Sequence, residues 1–130
     1  MEAATRELVR RRAGDACEYC GLAQHDVPFA VFHVEHVIPK QHGGTDDASN
    51  LALACNHCNS HKGPNLAGID PETREIVPLY NPRVAPWHEH FERHGPIILG
   101  RTPMGRATVR VFAMNSVDRV ELRTALISDE

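Results

Sequence analysis

Apolar residues fall along this chain in short bursts, and the spacing within each burst points to a conformation. Residues 4–13 carry Leu8 and Val9 as a thin apolar stripe among arginines, which predicts an amphipathic helix. Residues 28–37, "PFAVFHVEHV", are enriched in β-branched and aromatic side chains and predict a strand. The following "PKQHGGTDDAS" has the Pro, Gly and Asp/Ser content of a loop, "NLALA" predicts a second extended segment, and residues 56–64 open a helix. Strand, loop, strand and helix together make a ββα unit. Past Gly63 the pattern predicts a turn at 70–73 and a strand over 75–80. "APWHEHFERHG" reads as a helix with Pro86 near its start and Gly95 past its end; on it Trp87 and Phe91 form an apolar stripe and His90 and His94 share a face. "PIILGR" predicts a strand, "TPMGRATVRVFAMN" a helix started by Thr-Pro, and "SVDRVELRTALI" a final amphipathic helix. No internal repeat or low-complexity linker interrupts the series.

A length of 130 residues allows a modest core and a second small subdomain, here expected as 1–64 and 65–130, the latter an α+β extension packed on the first. No apolar run approaches a membrane span and no secretion signal is visible, so the expectation is a cytoplasmic protein without a membrane partner. The formal net charge of −3 does not advertise a nucleic-acid binder. Its distribution does more: Arg6, Arg10, Arg11 and Arg12 cluster at the start, and residues 83–110 hold five arginines against two glutamates.

The four cysteines change the picture. They form two CxxC pairs, "CEYC" (Cys17, Cys20) and "CNHC" (Cys55, Cys58), the pattern of a structural zinc site rather than of disulfides. Because 34 residues separate Cys20 from Cys55, the metal would clamp the ends of a long insert. The expected class is therefore α+β, with a zinc-stapled ββα core.

That insert holds "FHVEHVIPKQHGG", where Glu35 and His36 stand side by side. A hard ion such as Mg2+ or Mn2+ takes oxygen ligands and few protein groups. Glu35 and the amide oxygen of Asn59 are the candidate ligands, with His36 as a general base and Lys62, one turn past Asn59, facing a phosphate. His33 shares strand parity with Glu35; His33, His61, Arg10 and Arg11 are candidate phosphate contacts. A regular strand would send Glu35 and His36 to opposite faces, so this reading requires the strand to end or bulge there.

"HVEHVIPKQHGG…SNLALACNHCNSHKG" resembles the HNH endonucleases, the zinc-containing branch of the ββα-metal nucleases. The matching elements are Glu35–His36, Gly43–Gly44, Asn50–Leu51, Cys55–Cys58, Asn59 and Lys62, and with "CEYC" the resemblance covers about residues 13–64. The second half also looks like the tail of a group of small bacterial HNH proteins. The resemblance implies single-metal hydrolysis of DNA phosphodiesters, with RNA left open as a substrate. It implies His36 as base, Glu35 and Asn59 as ligands of Mg2+ or Mn2+, and Asn50 as the residue that bonds across the motif and orients the base. Two departures stand out: Glu replaces the commoner Asp, and Asn59 replaces a histidine, both suited to a hard ion. The alternative is a non-catalytic, zinc-stabilised nucleic-acid-binding module. Oligomeric state is not legible in the sequence.

Overall fold

The computed structural model describes residues 1–129. The chain divides into two compact units, Met1–Asn65 with Asn81–Val84, and Leu66–Tyr80 with the chain from Ala85 onward.

In the first unit, α1 (Ala3–Arg12) buries Val9 and is tied down by two arginines. Arg10 donates to the Phe32 carbonyl at 2.6 Å and Arg12 to the Leu51 carbonyl at 2.7 Å. Strands β1 (His33–His36) and β2 (Leu51–Ala54) pair antiparallel, with Glu35 opposite Ala52 and His36 opposite Leu51. All four residues of β2 are buried, so the apolar run LALA is the centre of this unit. Helix α2 (Asn56–Lys62) follows at once, and its N-cap is Cys55, whose sulfur accepts from the Cys58 amide.

The expected strand over 28–37 is shorter than its composition suggests. Residues 28–32 form a loop because Gln24 competes for their backbone: its amide donates to the Val27 and Ala30 carbonyls and accepts from the Phe32 N–H.

The second unit contains the hairpin β3 (Ala67–Ile69)–β4 (Ile76–Pro78), the hairpin β5 (Phe91–His94)–β6 (Ile97–Gly100), and helices α3 (Pro103–Val111) and α4 (Val117–Ser128). The helix expected over "APWHEHFERHG" is not formed. Trp87–Glu89 make a single 3-10 turn, and Phe91–His94 pair with Ile97–Gly100. Gly95, at φ +59°, followed by Pro96, makes the two-residue turn that a hairpin needs, with its positive φ at the first position. His90 and His94 therefore share no helical face, although Trp87 and Phe91 still stack, with ring centroids 5.1 Å apart. Thr102 caps α3 from its side chain, and Pro103 occupies the first turn. Gly105 is obligatory where α3 meets His90 and the end of β6: a Cβ there would lie 2.0 Å from the His90 carbonyl oxygen. Among the described residues no helix is long and apolar enough to cross a membrane.

This unit is pinned by a buried ion pair. Asp70 is wholly inaccessible and accepts a fork from Arg106 at 2.9 and 2.8 Å, along with the Glu72 amide and the Thr73 hydroxyl. The hydrogen bonds from Arg106 hold the Asp70 carboxyl well below the usual carboxylate range. A carboxyl whose pKa is depressed by folding adds stability above its unfolded value, and that stability is lost as pH falls through the folded value. Asp70→Asn should therefore lower the thermal midpoint at neutral pH and flatten the acid side of the stability profile below about pH 4, read by calorimetry.

Candidate metal centre and adjoining cleft

The four cysteines converge. Cys17, Cys20, Cys55 and Cys58 are all buried, and their sulfurs lie within 4.8 Å of one another, placed to bind a metal ion. No disulfide links them. A tetrahedral ion with metal–sulfur bonds near 2.3 Å separates its sulfurs by about 3.8 Å, and Cys20 and Cys55 stand 3.8 Å apart. The chemistry of the donor set agrees with the geometry. Burial pushes the Cys17 thiol up, and hydrogen bonds from Cys17, Cys20 and Cys55 push Cys58 up, so a divalent cation is what would let all four ionise. The first CxxC pair forms a knuckle, residues 17–20, bound to β2 by backbone, Glu18 N–H to the Leu53 carbonyl at 2.9 Å, and the Glu18 carboxylate takes both the Leu53 amide and Arg83.

Tyr19 sits between the two cysteines of that knuckle. It is fully buried, and burial together with the nearby Glu35 charge drives its hydroxyl pKa well up, so it stays a donor. It gives that hydrogen bond to Glu35 Oε1. On the other side, Lys62 Nζ lies 3.2 Å from Glu35 Oε2 and donates to the His36 carbonyl at 3.1 Å. Burial pushes the Glu35 carboxyl up, and the Lys62 ammonium and the Tyr19 hydroxyl oppose it. Lys62 is 2% exposed, so it does not present itself to a phosphate at the surface.

β1 runs without a bulge through Glu35 and His36 and ends there, so the two side chains diverge. Glu35 turns inward to Tyr19 and Lys62, while His36 Nε2 meets Asp46 Oδ1 at 2.7 Å. An open cleft of about 490 Å3 nevertheless borders both, together with His33, Lys40, Asn59 and Pro64. Asn59 lines the cleft from α2, half-buried, and its amide is engaged by no protein group among the described residues.

Asn50 lies in the loop beyond. It accepts from the Ile38 N–H at 2.9 Å and donates to the carbonyls of Ile38 and Thr45 at 3.0 and 2.9 Å. The crossing is tight enough to demand glycine: a Cβ on Gly44 would lie 1.6 Å from the Ile38 oxygen. The remaining sequence candidates are elsewhere. Arg10 is committed to Phe32, Arg11 pairs with Glu7 on the exposed face of α1, and His61 bonds its own helix at the His57 carbonyl. Sequence reading missed Tyr19 and Asp46, because neither has a spacing signal; only the closing of the loop and the knuckle brings them to Glu35 and His36.

Two measurements follow from this geometry. Purified protein should carry tightly bound metal, and Cys55→Ser should lose it together with cooperative unfolding, read by elemental analysis and calorimetry. Lys62→Met should cost about 3–5 kcal/mol by leaving a buried carboxylate unpaired, and adding Glu35→Gln should restore most of that loss, read by urea unfolding.

Residues 17–65 match the family model described as HNH endonuclease. No curated protein and no solved structure gives a significant match. The matched segment opens on the first cysteine of the metal centre and closes just past the cleft-lining Pro64. The four-sulfur cluster, the ββα order and the cleft all fall within this stretch, which is similar to the HNH endonuclease family over residues 17–65.

Proposed function

We propose that this protein is a metal-dependent endonuclease that hydrolyses DNA phosphodiesters. The observation that carries the reading is one cleft, inside the family-matched segment, bordered by an imidazole, a carboxylate and an unengaged amide: His36, Glu35 and Asn59. Zinc is the natural ion for the four thiolates, and its part is structural because four protein ligands leave no open position. Glu35 and Asn59 would hold a second, hard ion, Mg2+ or Mn2+. Each Glu35 oxygen keeps a lone pair beyond those used by Tyr19 and Lys62, and the oxygen donor set suits such an ion. When bound, that ion supplies positive charge against the phosphate and the leaving oxygen.

The chain's own residues do the rest. His36 takes a proton from the attacking water on an unprotonated ring nitrogen. Lys62 holds Glu35 in place from below, and Asn50 keeps the loop closed over the same edge. His33 and Lys40 border the cleft where a phosphate backbone would lie.

A second reading has one observation in its favour. Both Glu35 oxygens are already paired, by Tyr19 and Lys62, which suits a nucleic-acid-binding module without turnover. Plasmid nicking separates the two. Supercoiled DNA should be nicked with Mg2+ or Mn2+ and left intact with EDTA, and His36→Ala should lower the rate on the order of 10²–10⁴-fold with its thiolate-bound metal retained. DNA bound in a salt-dependent manner and never cut would favour the module.

A further inference from the structure

We infer that Asp46 is a positioning residue that holds His36 as the tautomer with its proton on Nε2, leaving Nδ1 as the ring's proton acceptor. The inference rests on the nuclease reading for its catalytic meaning, but the tautomer itself stands on geometry alone. His36 Nε2 and Asp46 Oδ1 are 2.7 Å apart, a distance for a charge-assisted hydrogen bond. A carboxylate only accepts, so the imidazole proton must sit on the nitrogen that faces it. The other nitrogen is engaged by no protein group among the described residues. Lys40 Nζ lies 3.3 Å from the same Asp46 oxygen, a cation that favours the ionised, accepting carboxylate.

The carboxylate is not placed by chance of an exposed loop. Asp46 follows Thr45, whose carbonyl accepts from Asn50, and Asn50 also takes both backbone groups of Ile38. Asp47 next in the chain is braced through its own amide and carboxylate by the Thr45 hydroxyl. The chain of contacts therefore runs from Asn50 through the loop backbone to Asp46 and on to the ring. It gives the central Asn of the motif a concrete effect: it sets the distance between an acid and a base that it touches neither of. Sequence spacing could not reveal this, since ten positions separate His36 from Asp46 and the loop between them must close first.

The test is imidazole 15N–1H spectroscopy of the metal-loaded protein at mildly alkaline pH, with His36 assigned by the cross-peaks missing in His36→Gln. The inference expects a protonated Nε2, an unprotonated Nδ1, and an Nε2 proton protected from solvent exchange. In Asp46→Ala that protection should vanish while the fold and the thiolate-bound metal remain. In Asp46→Asn, whose side-chain oxygen still accepts, the protection should be partly kept. Plasmid nicking by the same proteins should fall on the order of tenfold or more in kcat for Asp46→Ala, with KM little changed and Asp46→Asn intermediate. A proton on Nδ1 in the wild type, or an Nε2 proton equally protected in Asp46→Ala, would overturn the inference. A wild type that shows the expected tautomer yet cuts no DNA would overturn the nuclease reading and leave the positioning of the ring standing.

Discussion

Four buried sulfurs converging on one point are the constraint on which the family-matched unit depends. Its secondary structure could not hold by itself. β1 and β2 are four residues each and α2 is seven, far below the length at which a lone helix is stable in water. What brings them together is that the first knuckle and the start of α2 share a metal-binding cluster, with the hairpin strung between them. Cys55 has two duties at this junction: its sulfur belongs to the cluster, and it also caps the helix. In so small a unit a metal held by these four thiolates would do the work that a larger hydrophobic core does elsewhere.

The clamp also reaches the cleft. Tyr19 lies between two of the cysteines, and its hydroxyl holds the carboxylate of Glu35, which is held in turn by Lys62 on α2. A buried ion pair of this kind contributes little net stability by itself, since desolvation offsets most of the attraction. Its effect is geometric: with Tyr19 from the knuckle and Lys62 from the helix on its two oxygens, the Glu35 side chain has one position. Knuckle, strand and helix are thereby locked in register at the same atom pair.

Much of this was visible in the chain, and the exceptions have definite causes. The cysteine spacing, the buried run at 51–54, the short helix after it and the two C-terminal helices follow from periodicity and capping residues alone. The segment from 85 to 95 misleads because Trp87 and Phe91 at i and i+4, framed by Pro86 and Gly95, mimic a helix. β5 has one buried residue in four, so it shows no alternation to contradict that reading. Gly95–Pro96, which looks like a helix terminator, is instead the hairpin turn. At the cleft, the bulge that would have turned Glu35 and His36 the same way is absent; β1 stays regular to its end, and the two side chains diverge as strand parity dictates. The burial of Lys62 was hidden because its place one turn from Asn59 suggested a shared outlook, whereas its partner arrives from another element. Asp46 and Tyr19 carry no local pattern at all; only tertiary closure brings them to their partners.

The burial of Lys62 also simplifies the surface chemistry of the whole chain. It contains only two lysines, and with Lys62 sealed beneath Glu35 the exposed ε-amine is that of Lys40, on the rim of the cleft. An amine-directed label, crosslinker or acetyl group would therefore land, apart from the chain terminus, at one address, and that address borders His36 and Asp46. In place of a diffuse scatter of modified sites, lysine chemistry on this protein becomes a local reporter of what occupies the cleft.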